Sequence, residues 1–284
     1  MRSGQVTLSI GSRTIKQPVL NPQRIVLCAD DYGLSPGVSR GIRELLAAGR
    51  VSATSCMVVY PDFADHARDV LPYLDRADIG LHLTLTTDAP FGEVFRNAYL
   101  RRPDLATAIR IVDGQVSLFE KSIGRPPAYI DGHRHVHLLP VTREAVVRVA
   151  ARIGAYVRLT REPIDVAMAG RPAPFEAACL SLMARPIARL AKEHGVAANR
   201  GFRGIRSFRE PEPFRHLFRA MLAGARDGHL VMCHPGLVDR VLIARDGVHE
   251  QREGELRYLA GPDFQADLAS LGVTIARLGE TFRT

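Results

Sequence analysis

Short apolar runs alternate with amphipathic segments along most of this 284-residue chain, and this alternation constrains the fold more than any other feature. The run 25–29 is uninterrupted by polar residues, as in a strand that is buried on both faces. The segment 36–48 then repeats its apolar residues at helical spacing and stops before Gly49, a residue suited to a helix C-terminus. The same pattern recurs toward the C-terminus.

This repetition predicts a parallel sheet covered by helices. Predicted strands are 25–29, 54–59, 79–85, 128–131, 155–159, 229–233 and 273–276. Predicted helices are 36–48, 63–74, 105–123 with Gly114 as a break point, 142–153, 175–193 and 213–225. Because polar motifs follow many different strands, a distorted, TIM-like (β/α) barrel is favoured over an open sheet. We expect an N-terminal extension, 1–23, and one domain, 24–284.

Composition and charge narrow the classes of function. Hydrophobic residues make up 46% of the chain and charged residues 24%, as in folded globular proteins. The net charge of +8 comes from scattered arginines without interleaved aromatic residues, so no nucleic-acid partner is expected.

The four cysteines show no paired spacing and lie in apolar runs, which predicts buried free thiols and no cysteine-based zinc site. No signal-peptide pattern and no apolar stretch of membrane-spanning length is visible in the sequence. We therefore expect a cytoplasmic protein without a membrane span.

Polar clusters stand at the ends of four predicted strands, where active sites of parallel α/β folds are built. They are Asp30 with Asp31, His82, the segment 131–137 and His234. At matching topological positions, these groups are expected to converge on one pocket.

Each cluster also has an ordinary structural interpretation. Adjacent carboxylates need a compensating charge such as a metal ion, but Asp30 and Asp31 also suit a helix N-cap or a turn. His82 suits a core histidine, and His234 suits a surface loop. Three histidines alternate within 133–137, which favours metal binding or proton transfer, and they diverge if the chain turns after His133.

Four motifs together resemble the YdjC-like carbohydrate deacetylases, a family that includes chitooligosaccharide deacetylase (ChbG) and the hopanoid-associated HpnK proteins. Residues 28–37 read CADDYGLSPG, similar to the family's ADDFG-L-S, and residues 80–86 read GLHLTLT. Residues 131–137 read DGHRHVH, where the family has D-S-H-x-H-V-H, and residues 232–236 read MCHPG. The resemblance covers roughly residues 24–280, with tyrosine at position 32 and glycine at position 132 as departures.

The resemblance implies a (β/α) barrel that hydrolyses the N-acetyl group of an amino sugar with one divalent ion, Mg²⁺ or Zn²⁺. By this resemblance, Asp31, His82 and His133 are the metal ligands, Asp30 is the general base and His234 is the general acid. Arg158, after a later strand, is the residue that orients Asp30.

Some alternatives stay open at this stage. The same residues suit another metal-dependent amidase or a phosphoesterase, although a phosphoesterase more often needs two metals and more carboxylates. A third alternative is an inactive homologue that binds sugar. The sequence does not decide between an oligosaccharide and a glycolipid substrate, between monomer and homodimer, or what His135 and His137 do.

Overall fold

The computed structural model describes residues 22–85, 90–101, 103–164, 166–170, 173–207 and 213–281. The strand pairs of this part are all parallel, as the sequence predicts. The strands are β1 Gln23–Tyr32, β2 Ala53–Cys56, β3 Asp78–Leu83, β4 Tyr129–Gly132, β5 Tyr156–Val157, β6 Gly201–Arg203, β7 His229–Cys233 and β8 Val273–Ile275.

Helices follow most of the strands and cover the sheet. They are α1 Pro36–Ala47, α2 Phe63–Val70, α3 Phe91–Leu100, α4 Leu105–Ile123, α5 Thr142–Ile153, α6 Pro174–Glu193, α7 Phe214–Leu222, α8 Arg240–Arg245, α9 Arg252–Ala260, α10 Pro262–Ser270 and α11 Leu278–Thr281. Short 3₁₀ segments span Leu71–Tyr73, His133–Leu138 and Val166–Gly170. None of the helices that the structure describes has the length and hydropathy needed to span a bilayer.

The sheet curls into a distorted TIM-like barrel, which confirms the predicted fold class. Its strand order is β5-β4-β3-β2-β1-β7-β6, and β8 pairs with the first residues of β1 beside this path. The two ends of the path meet through a single parallel bridge between Val157 and Ala198. The Asn199 side chain reinforces this seam, because its amide accepts from the Leu159 N–H and donates to the Leu159 carbonyl, each at 2.8 Å.

Strand β1 is the centre of the molecule, and its two faces enter two different apolar clusters. Ile25, Leu27 and Ala29 pack toward the covering helices, whereas Val26 and Cys28 pack with side chains of the other strands. Alternate residues of a strand point to opposite faces, so a strand with both faces buried must be apolar throughout. This explains the uninterrupted run at 25–29.

The differences from the predicted elements concern short segments. Residues 199–204, where no strand was predicted, contain β6, which at three residues is too short for a periodic signal. Helix α3 and the helices after residue 239 were not predicted, and α4 continues through Gly114. The predicted boundary at residue 24 falls inside β1, while residues 1–21 of the proposed extension lie outside the described part. Cys179 is only half-buried, unlike the other three cysteines.

Candidate active site and metal centre

A bulge at the end of β1 brings two adjacent aspartates to the same cleft. The pairing with β2 shifts register between Ala29 and Tyr32, and Asp31 has a φ of 73°, in the left-handed region that non-glycine residues rarely adopt. Without this distortion, neighbouring residues of a strand would face opposite sides. Both Asp30 and Asp31 are 1% exposed and line one cleft.

Asp31 is the meeting point of two imidazoles. Its Oδ1 lies 3.3 Å from His82 Nε2 and 3.1 Å from His133 Nδ1, and the candidate ligand atoms of all three residues lie within 4.8 Å of one another. One carboxylate and two imidazoles that leave further positions open form a common site for a catalytic divalent ion. The structure thus brings together the three predicted metal ligands.

Asp131 fixes the orientation of His82. Its Oδ1 lies 2.6 Å from His82 Nδ1, which leaves Nε2 directed at Asp31. A carboxylate on the far nitrogen of a ligating histidine sets its tautomer and raises its basicity. Burial lowers the pKa of His82, but Asp131 and Asp31 outweigh burial and raise that pKa to about 10. A divalent cation would displace this proton, because only the neutral imidazole is a ligand.

The chain turns sharply after His133, which answers the question that the sequence left open. Arg134 and His135 have positive φ angles of 51° and 59°, so the three histidines diverge. Only His133 reaches Asp31, and His137 packs back against β4. A Cβ on Gly132 would lie 2.9 Å from the backbone nitrogen of His137, so the turn in its present position depends on glycine here.

Arg158 holds Asp30 from both oxygens. Its Nη1 donates to Asp30 Oδ2 at 2.7 Å and its Nη2 to Oδ1 at 2.5 Å, a bidentate pair with both side chains buried. Burial by itself would raise the pKa of Asp30, but the Arg158 charge and hydrogen bonds hold it far below its usual range. Asp30 is therefore ionised at any physiological pH.

The same arginine occupies the space between a second group of candidate ligands, which are Cys28, Asp30 and Asp131. Arg158 Nη2 lies 3.1 Å from Cys28 Sγ and 2.5 Å from Asp131 Oδ2. Burial raises the pKa of the Cys28 thiol well above its usual value, so this sulfur is a thiol and a poor metal ligand. We interpret this group as an arginine site and not as a second metal site.

His234 follows β7 on a loop that is locked against α1. Gly41 and Gly236 permit this close approach, since a Cβ on Gly41 would lie 3.0 Å from the Gly236 Cα. The backbone N–H of His234 donates to Glu255 Oε2 at 2.7 Å, and its side chain lines the cleft with Asp30. Burial lowers the pKa of His234, which makes its protonated form a stronger acid.

The Tyr32 hydroxyl, a departure from the family motif, faces away from the cleft. It donates to the His66 carbonyl at 2.6 Å and is buried, so the structure gives it a packing role.

The sequence reasoning missed Arg252 and Asp246. Arg252 Nη2 donates to Asp31 Oδ2 at 2.8 Å and to Asp246 Oδ2 at 2.9 Å, and its side chain is buried. Burial and then the Arg252 charge are the main influences on Asp31, and the net effect holds the Asp31 pKa well below its usual value.

The buried charges of this site fit one divalent cation. The four carboxylates of Asp30, Asp31, Asp131 and Asp246 face two buried guanidinium groups, those of Arg158 and Arg252. Counted as ionised, these groups leave two uncompensated negative charges. Arg134, which is 44% exposed and 3.8 Å from Asp246, is left out of this count because water reaches its charge. A single divalent ion with neutral histidines restores neutrality, which buried charges require.

The two histidines that the metal site does not use favour the neutral form: His137 is buried, and His135 is half-buried beside the cleft. Burial and then the Arg158 charge lower the pKa of His135 to about 3, and burial with the neighbouring His135 lowers that of His137. The fold therefore favours the neutral imidazoles, whereas an unfolded chain takes up protons below about pH 6.5.

We expect the free energy of unfolding to decrease as the pH falls from about 6.5 to 4. His135 alone accounts for about 3 kcal/mol at pH 4, because each pKa unit corresponds to about 1.4 kcal/mol. The aspartates with lowered pKa lose their contribution only below about pH 4, and the contribution of His82 is complete below pH 6.5. Urea denaturation of His135→Gln across this range should show a shallower pH dependence than the parent protein. The exposed His194→Gln is the control, and equal slopes for the parent and His135→Gln would contradict the assignment.

The cleft above these groups has a volume of about 500 Å³, a polar floor and an apolar wall. Helix α6 supplies much of the wall through Phe175, Cys179 and Met183, which lie four residues apart and so share one helix face. Phe175 is 75% exposed at the mouth. The sequence predicted this helix but gave no indication of which face lines a cleft.

Comparison with known proteins identifies the family of this chain. The family model of the YdjC-like proteins matches residues 24–270. A carbohydrate deacetylase from Homo sapiens is 27% identical over 298 residues, covering 90% of each chain. A chitooligosaccharide deacetylase from Serratia marcescens is 29% identical over 262 residues, covering 87% of this chain and 95% of that protein.

A solved structure shares the fold. It is the crystal structure of an Enterococcus faecalis V583 protein with a proposed role in cellobiose-phosphate cleavage. It matches with a TM-score of 0.70 at 20% identity and covers 91% of this chain and 98% of that one. At this identity the likeness shows the fold alone. The family assignment rests on the match over residues 24–270: this chain belongs to the YdjC-like protein family.

Proposed function

We propose that this protein is a metal-dependent carbohydrate deacetylase, which hydrolyses the N-acetyl group of an amino sugar to acetate and a free amine. The observation that carries the proposal is one cleft lined by Asp30, Asp31, His82, His133 and His234. The buried charges around it match one divalent ion. The deacetylases among its relatives support the choice of an acetylated sugar.

Asp31, His82 and His133 are the residues that would hold the ion. Two imidazole ligands favour Zn²⁺ over Mg²⁺, which prefers oxygen ligands. Bound there, the ion would polarise the amide carbonyl and lower the pKa of the attacking water.

The remaining residues would handle protons and orientation. Asp30 lines the cleft as a carboxylate and takes the proton of the attacking water. Arg158 keeps this carboxylate ionised and fixes its plane through two hydrogen bonds. His234 donates a proton to the leaving amine, and the Glu255 contact to its backbone N–H sets its position.

A two-metal phosphoesterase fits the site less well. Such an enzyme needs a second ion beside the first. Among the described residues, the other group of candidate ligands surrounds the Arg158 guanidinium, which a second cation would have to displace. An inactive homologue fits poorly as well, because Asp30 and His234 are both present on the cleft.

The test is acetate release from N-acetylglucosamine, its oligomers and its alkyl glycosides, with protein stripped of metal and then reloaded. We expect acetate release to disappear with the chelator and to return with Zn²⁺. His82→Ala should weaken Zn²⁺ binding at least tenfold, with the exposed His194→Ala as the matched control. No acetate from any of these sugars under any metal would overturn the deacetylase proposal.

The apolar wall favours a glycolipid over an oligosaccharide as the substrate. Beside the polar floor lies an apolar surface formed by Phe175, Leu180 and Met183. The hydroxyl groups of a sugar chain match this surface poorly, whereas an alkyl or polycyclic aglycone would bury it. We propose that the amino sugar reaches the floor and that its apolar aglycone lies along α6.

Phe175→Ser should raise KM for an octyl glycoside of N-acetylglucosamine about 5–10-fold, since the lost apolar contact is worth about 1 kcal/mol. KM for the methyl glycoside should stay unchanged. Leu182→Ser is the matched control, because Leu182 is 47% exposed on the same helix but does not line the cleft. An equal effect of Phe175→Ser on both glycosides would remove the support for an apolar aglycone.

A further inference from the structure

Arg252 is a deeply buried charged group at the site to which the proposed reaction assigns no step. It is 1% exposed and begins α9. Its Nε donates to the Val248 carbonyl at 2.8 Å, and its Nη2 bridges Asp31 and Asp246. A guanidinium with three fixed contacts has one orientation, so it presents its donor to Asp31 from a set direction.

The two oxygens of Asp31 have different partners. Oδ1 faces His133 Nδ1 at 3.1 Å and His82 Nε2 at 3.3 Å, whereas Oδ2 accepts from Arg252 at 2.8 Å. A carboxylate with both oxygens free can bind a cation through one oxygen or through two. Here the guanidinium engages the second oxygen.

We propose that Arg252 is a positioning residue, which holds Asp31 as a single-oxygen ligand and thereby keeps coordination positions free for water and substrate. The inference rests on the proposed metal site at Asp31, His82 and His133. Helix α9 lies outside the four sequence motifs, so none of them predicts this role.

The other buried charge of α9 supports this assignment. Glu255 lies three residues after Arg252, on the same helix face, and its Oε2 accepts from the His234 backbone N–H at 2.7 Å. Its Oε1 is paired with Arg206. One face of α9 therefore contacts both the proposed metal ligand and the loop of the proposed acid.

A simpler role for Arg252 is to neutralise Asp31 and Asp246, and Arg252→Lys separates the two. Lysine keeps the positive charge, so a purely neutralising role predicts that Arg252→Lys binds metal as the parent protein does. Its single ammonium group cannot reproduce the fixed fork that contacts Asp31, Asp246 and Val248. Positioning therefore predicts that Arg252→Lys changes the metal site even when the protein folds normally.

The experiment uses Co²⁺ as a probe, because its visible absorption reports coordination number and geometry. In Arg252→Lys, we expect the Co²⁺ spectrum to change in band position and intensity, and Co²⁺ affinity to fall about 10-fold. For the Zn²⁺-loaded protein, kcat should fall with little change in KM. Asp246→Asn, which weakens one anchor of Arg252, should shift the spectrum in the same direction by less.

Arg257→Lys is the matched control, since Arg257 is exposed on the same helix. A folded Arg252→Lys with the Co²⁺ spectrum and affinity of the parent protein would overturn the inference while leaving the metal site standing. Unchanged Co²⁺ binding in Asp31→Asn would instead overturn the proposed metal site, and with it this role of Arg252.

Discussion

Replacing Asp30 by asparagine is expected to lower kcat for acetate release about 10³-fold, while the protein still binds its metal ion. The amide cannot accept a proton from the attacking water, and a positioned general base contributes about 10²–10⁴-fold. Metal binding should survive, because Asp30 is not among the three proposed ligands and Asp31 keeps its contacts to His82 and His133. The measurements are steady-state acetate release and titration with Co²⁺.

Ser55→Ala is the control for this variant. The Ser55 hydroxyl donates to Asp30 Oδ1 at 3.2 Å, so its removal disturbs the same carboxylate without changing its charge. We expect less than a tenfold loss of kcat. If Asp30→Asn binds Co²⁺ normally and still releases acetate within tenfold of the parent rate, Asp30 is not the base.

The sequence locates the polar side chains of this site because the fold gathers them in a regular way. Asp30, His82 and His234 each stand at the C-terminal end of a parallel strand, and such ends meet on one side of a barrel. Strand-end position therefore predicts proximity. It does not predict the bulge and the positive φ of Asp31, which turn a second aspartate into the same cleft.

Arg252, Asp246 and Glu255 could not be found in this way. They lie after the motif at residues 232–236, on segments without a clear helical or strand-like spacing of apolar residues. Arg252 also contacts Asp31 across 221 positions of sequence. A single sequence offers no signal for such a pair. The sequence also could not predict how the barrel closes, because closure depends on one parallel bridge and on the side-chain amide of Asn199.

Arg158→Met is expected to lower the free energy of unfolding by about 3–5 kcal/mol, which is a large share of the stability of a typical domain. Arg158 is 0% exposed and is paired with both Asp30 and Asp131. Methionine fills similar space but leaves two buried carboxylates without their counter-charge. Part of the loss should be recovered when Asp30→Asn is added, because the double variant removes one of the unpaired charges. Urea denaturation at pH 7 measures all three free energies.

Arg189→Met is the matched control, since Arg189 forms an ion pair with Glu193 on the exposed face of α6 and is 80% exposed. Exposed pairs of this kind contribute about 0.3–0.5 kcal/mol, so the same substitution should cost little there. A loss below about 1 kcal/mol in Arg158→Met would show that water or a shifted proton already compensates Asp30 and Asp131. The charge balance that favours a divalent ion would then have to be abandoned. A loss of the expected size, partly recovered in the double variant, would show that both carboxylates are charged and that Arg158 balances them.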